Sequence, residues 1–181
     1  MNFPAAVQKI IDQLPAVQHR PFDRLEKGKP FGAGQSVLEK SNLKPLAQGA
    51  LYLYFDCFEE AHNIANDHEG SPEGNWIHAI LHRREPDAWN SKYWYARVRI
   101  PKKLSQEIAQ EALKQLGKEP PRELETFQKK LSKSGEWEPE AFVDLCDKAR
   151  KEDPVSGAYK LLAGIQEAEW RGLLNHILAK T

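Results

Sequence analysis

The sequence has little cysteine, no surplus of either charge and no long hydrophobic run. Two cysteines among 181 residues, Cys57 and Cys146, exclude the framework of a disulfide-stapled secreted domain. Both fall in predicted helices among apolar neighbours and read as reduced core residues. Neither sits at an electropositive helix start, which argues against a thiol nucleophile. The 26 basic and 26 acidic residues cancel, so there is no overall basic field to gather nucleic acid or anionic lipid. No apolar stretch approaches the ~20 residues that a spanning helix needs, so no membrane span is expected. The opening MNFPAAVQKIIDQLP has neither a basic leader nor a long apolar segment, and the expected address is the cytoplasm. A GxSxG nucleophile elbow is absent as well.

What the chain does have is helical periodicity, with no convincing strand alternation. At 40% hydrophobic and 9% aromatic it can build a real core, and its length suits one domain over residues 1–181. A first helix is predicted over residues 4–14, then a loop-rich connection over 15–42 containing Pro15, Pro21 and Pro30. The FGAGQS within that connection lacks a preceding strand and a full glycine fingerprint, so it reads as a turn and not as a phosphate cradle. A second helix is predicted over 45–67 and a third over 71–85, stopped by Pro86. Asp87 then caps a short helix through Trp94. Further helices are predicted from Pro101 to Gly117, after Pro120–Pro121 to near Gly135, from Pro139 onward and over 155–179. Residues 102–134, rich in lysine and glutamate, read as a peripheral charged helical hairpin. The expectation is an all-α, compact multi-helix domain of seven or eight helices.

Placing residues at 100° steps shows which polar groups fall on apolar faces. On the second helix His62 shares a face with Leu51, Phe55, Phe58 and Ala65. Asp56, Glu60, Asn63 and Asp67 gather opposite, as a solvated side. On the last helix Glu169 lies in the stripe of Leu161, Leu162, Ile165 and Leu173, so it requires a cation or donor from the region of residues 62–84. On the third helix Trp76, Ile77, Ile80 and Leu81 form the apolar stripe, with His78, His82 and Glu85 on the opposite flank. An HxxxH pair can bring two imidazoles to one metal, but the glutamate of a zinc-protease motif is replaced by Ala79. Such pairs are common by chance, so the spacing alone assigns no metal ligand. Arg83 and Arg84 beside a helix start suit either a salt-bridged corner or an anion clamp. The aromatic cluster of Trp89, Tyr93, Trp94 and Tyr95 reads as packing with hydrogen-bonded edges.

The string GNWIHAILHRREPDAWNSKYWYARV, preceded by LYLYFDCFEEAHNIA, resembles an uncharacterised family of small bacterial proteins. Its members carry an aromatic-His-x-x-x-His-Arg-Arg-Glu block followed by Asn-x-x-Tyr-Trp. The later pieces AFVDLCDKA and IQEAEW resemble the family's C-terminal part. Together these cover somewhat under half the chain. The resemblance implies that His62, His78, His82, Arg83, Arg84, Glu85, Asp87, Asn90, Tyr93, Glu169 and Trp170 belong to one shared pattern. The chain departs from it at Ala96, where an arginine is expected. No activity is established for that family, so the resemblance carries positions and no reaction.

These readings favour a small-molecule-binding protein or enzyme. Its acid–base residues would be His62, His78, His82 and Glu169, with Arg83, Arg84, Glu85, Asp87, Asn90 and Tyr93 around a polar, anionic ligand. One alternative is a regulatory or adaptor protein whose polar network is structural. Another is a metal-dependent hydrolase, which needs a third ligand beside His78 and His82, with Glu85 or His62 nearest. The sequence assigns no cofactor.

Overall fold

The computed structural model describes residues 5–14, 22–152 and 156–180. The readings made on Pro4, Pro15, Pro21 and Val155 lie outside them. Among the described residues there are ten α-helices, one single-turn 3-10 helix at Arg122–Leu124 and no strand. In chain order the helices are α1 (Ala5–Ile11), α2 (Gly32–Glu39), α3 (Pro45–Tyr54), α4 (Phe58–Asp67) and α5 (Pro72–Arg84). There follow α6 (Ala88–Tyr95), α7 (Lys102–Leu116), α8 (Glu125–Ser134), α9 (Pro139–Glu152) and α10 (Gly157–Ala179). No helix among the described residues is long and apolar enough to cross a membrane.

Several ends follow from local chemistry. Ser71, Asp87 and Ser156 each accept a backbone N–H from the first turn of α5, α6 and α10, at 3.0, 3.0 and 3.1 Å. Gly135 closes α8 in the left-handed conformation, where a Cβ would be strained.

Two helices exceed the expected seven or eight, and each excess has a physical cause. The predicted helix over residues 45–67 breaks between Tyr54 and Phe58. Asp56 there takes a left-handed φ of 57°, which an aspartate tolerates better than a branched residue. Its carboxylate accepts from Gly28 N at 3.0 Å and from Arg84 Nη2 at 2.7 Å. Asp56 is therefore buried and paired, and does not belong to a solvated face. The second extra helix is α2, which begins within FGAGQS, where a turn was expected.

Gly34 lets α2 lie on the break, because an added Cβ would stand 2.5 Å from the Phe55 ring. That ring is wholly buried and has nowhere to move. Gly34→Ala sets about 1 kcal/mol of helix propensity against about 1–3 kcal/mol of overpacking. We expect net destabilisation of up to about 2 kcal/mol, read from a urea unfolding midpoint.

α5 is the axis of the fold. Every residue from Glu73 to Arg84 is buried, with α3, α4, α6, α9 and α10 packed around it. Its histidine flank is covered, and the helix is not amphipathic. The charged segment over residues 102–134 also reaches the core. Ile108, Ala109, Ala112 and Leu116 of α7 are buried, and so are Phe127 and Leu131 of α8. α7 lies along α10, where Gly172 brings Ile108 and Leu104 into close approach.

Candidate metal centre

Because α5 is enclosed, its polar side chains leave in different directions and build separate constellations. Arg83 enters a buried network with Glu169. Glu169 Oε2 accepts from Arg83 Nη1 at 2.6 Å, and Oε1 accepts from Tyr95 Oη at 2.7 Å. Oε1 also accepts from the indole nitrogens of Trp76 and Trp137, both at 3.0 Å. Arg83 and Glu169 are fully buried. Arg83 donates further to Tyr95 Oη at 2.6 Å and Gln166 Oε1 at 3.3 Å, and its guanidinium lies 4.8 Å from the Phe142 ring centroid. The cation expected for Glu169 is thus Arg83, and no histidine among the described residues joins the network.

Arg84 departs the other way. It donates to Leu53 O, Glu26 O and Asp56 Oδ1, and lies over the rings of Phe22 and Phe58. Arg83 and Arg84 are therefore directed into the core and tie helices together.

The three histidines meet on the remaining flank. His78 and His82, one turn apart on α5, face His62 of α4. Ring centroids are 5.0 Å apart for His62–His78, 5.6 Å for His62–His82 and 5.8 Å for His78–His82. One nitrogen from each ring forms a set in which all separations are within 4.8 Å. His78 is fully buried, His82 nearly so, and His62 is half-buried.

The surrounding amides and acids orient these rings. His78 Nε2 stands 3.1 Å from Asn66 Oδ1 and donates to it. This leaves His78 Nδ1 as a lone pair, buried and without a partner. The other end of Asn66, Nδ2, lies 3.4 Å from His62 Nδ1. His82 Nδ1 faces Glu85 Oε2 at 3.4 Å, and its Nε2 accepts from Asn90 Nδ2 at 3.2 Å. Asp87 serves the site indirectly by capping α6, which carries Asn90. Asn66 was not singled out from the sequence, although its position four residues after His62 was the available signal.

An aromatic series runs outward from His78. Trp94 stacks on it at 4.0 Å, Tyr93 meets Trp94 edge-on at 5.2 Å, and Trp89 stacks on Tyr93 at 5.9 Å. Trp89 is 77% exposed, so the series ends at the surface. Glu85 is shared with Lys27 at 3.0 Å, which fixes the carboxylate beside His82.

Burial pushes His78 down from its ordinary 6.5 to about 4, assisted by the neighbouring His62 and His82. His82 is lowered chiefly by burial, against the opposing pull of Glu85. At neutral pH both rings are uncharged, the state in which imidazole binds metal. Burial raises Cys57 to about 11 and Cys146 to about 12, so both thiols stay protonated.

The depressed proton affinity of His78 has a thermodynamic consequence for the metal-free chain. As pH falls below about 6.5 the unfolded chain binds this proton first, so stability is lost between roughly pH 6.5 and 4 and fully present above that window. The loss attributable to His78 is at most about 3 kcal/mol. Urea midpoints at pH 7.5 and pH 5 should show it, and His78→Gln should flatten the slope.

The chain matches no protein-family model, and comparisons with curated proteins and with solved structures return no match.

Proposed function

We propose that the chain is a metal-dependent hydrolase whose ion is held by His62, His78 and His82. The observation that carries this reading is the convergence of three imidazoles within 4.8 Å, one of them presenting a buried, unpartnered nitrogen. Tetrahedral zinc with nitrogen ligands needs about 3.3 Å between ligand atoms. The gap is closed by small rotations, chiefly of half-buried His62. Three neutral nitrogen donors without a carboxylate favour zinc, cobalt, nickel or copper over magnesium or calcium.

Three protein ligands leave a position for water, whose pKa such an ion lowers to about 7. Around it each side chain has a defined task. Glu85 accepts from His82 Nδ1 and increases its donor strength, while Asn66 Oδ1 holds His78 through Nε2. The amide groups of Asn90 and Asn66 would release His82 Nε2 and His62 Nδ1 to the ion. Exposed Trp89 and Tyr93 offer a stacking surface to a planar or apolar part of a substrate. An anion clamp by Arg83 and Arg84 is not part of this reading, because both guanidiniums serve the core.

The test is calorimetric titration of metal-stripped, tag-free protein with zinc and cobalt, followed by assays on ester and phosphoester panels. One ion per chain at micromolar affinity or tighter, a tetrahedral cobalt spectrum and metal-restored hydrolysis are expected. Absence of binding at millimolar zinc would remove the reading.

A further inference from the structure

Arg150 is buried without hydrogen bonds, and nothing in the proposed chemistry uses it. Its side chain is 8% exposed, and Nε, Nη1 and Nη2 all lack an acceptor. It stands one turn after Cys146 and continues the inward stripe of Phe142, Val143, Cys146 and Ala149 on α9. The nearest acid among the described residues is Asp147, whose Oδ1 is 3.7 Å from Arg150 Nη2, beyond hydrogen-bond distance. The other oxygen of Asp147 is held by Lys151 at 2.7 Å. Lys148 is engaged with Glu152 at 3.7 Å. Among the described residues of this turn, Lys148, Arg150 and Lys151 stand beside Asp147 and Glu152.

A guanidinium cannot shed its proton to escape burial, and its donors form a planar fork. Desolvating it without an acceptor costs several kcal/mol. The C-terminal end of α9 carries the negative end of the helix dipole and steadies the cation, yet it supplies none of the missing hydrogen bonds. Water could satisfy the donors, and Asp147 at 3.7 Å offsets part of the charge without meeting them. A small oxyanion satisfies both, because two of its oxygens match the fork.

We infer that Arg150 is the anchor of a binding site for a small oxyanion, of the phosphate or carboxylate class, on the inner face of α9. The site is independent of the three histidines.

The experiment uses the full chain after metal removal and desalting, so that an anion cannot bind through a metal. Thermal unfolding is followed while inorganic phosphate, succinate or chloride is titrated at matched ionic strength. A saturable rise in Tm with phosphate or succinate, and none with chloride, is expected. The stronger of the two arms identifies the class. Arg150→Met should abolish the response, and Arg150→Lys, which keeps charge without the fork, should weaken binding about tenfold or more. No saturable response in the wild-type chain would overturn the inference, even if Arg150→Met failed to fold. An undiminished response in Arg150→Met or in Arg150→Lys would overturn it equally.

Discussion

Glu169→Gln should lower unfolding free energy by about 3–5 kcal/mol, the range found when one partner of a buried pair is removed. The magnitude follows from the acceptor count. One carboxylate takes four donors, from Trp76, Tyr95, Trp137 and Arg83. An amide keeps the shape but loses the charge, and its NH2 must face at least one of those donors. Arg83 is then left charged and uncompensated in a site without exposed surface. Urea unfolding measures the effect, while zinc affinity should stay within about twofold of wild type, since no imidazole touches the network. Pairing the change with Arg83→Met should recover part of the loss, because apolar replacement of both partners removes the stranded charge. If Glu169→Gln folds with undiminished stability but loses turnover, Glu169 belongs to the reaction and not to the frame.

The second large effect should appear at His62. Changing an outer partner of a metal ligand typically costs 10–100-fold in affinity, and loss of a direct ligand should exceed that. His62→Ala is therefore expected to weaken zinc binding by more than about 100-fold, and Asn66→Ala by about 10–100-fold. His62 is half-buried and its one hydrogen bond is long, at 3.4 Å, so metal-free stability should change by only about 0.5 kcal/mol. This split between affinity and stability distinguishes a ligand from a packing residue. Equal zinc affinity in His62→Ala would limit the centre to His78 and His82.

The helical class, most helix positions and the inward direction of Glu169 were legible because they depend on local periodicity and capping. The partner of Glu169 was narrowed but not chosen, since Arg83 and Arg84 are adjacent and leave an enclosed helix on different sides. Asp56 was misread because one left-handed residue resets the phase of every position after it. Trp137 gave no signal, lying in the short connection between α8 and α9 where no periodicity applies. At the histidine cluster the HxxxH spacing was visible, and His62 was one of two candidates for a third ligand. Its approach to His78 depends on how α4 packs on α5, which no local pattern encodes.

The carboxylate of Glu169 also governs the order in which the molecule can come apart. Its four donors arrive from α5, α6 and the connection after α8, while the acceptor itself rides on α10. If α5 and α10 separate, an ion is stranded in an apolar interior. Loss of Tyr95 or Trp137 strips a donor from the buried carboxylate, so partial opening at any of these segments is costly. These segments should therefore exchange their slowest amide protons at a common rate, as one cooperative unit. The indoles of Trp76 and Trp137, bound to the same oxygen, should report that event with a single fluorescence transition.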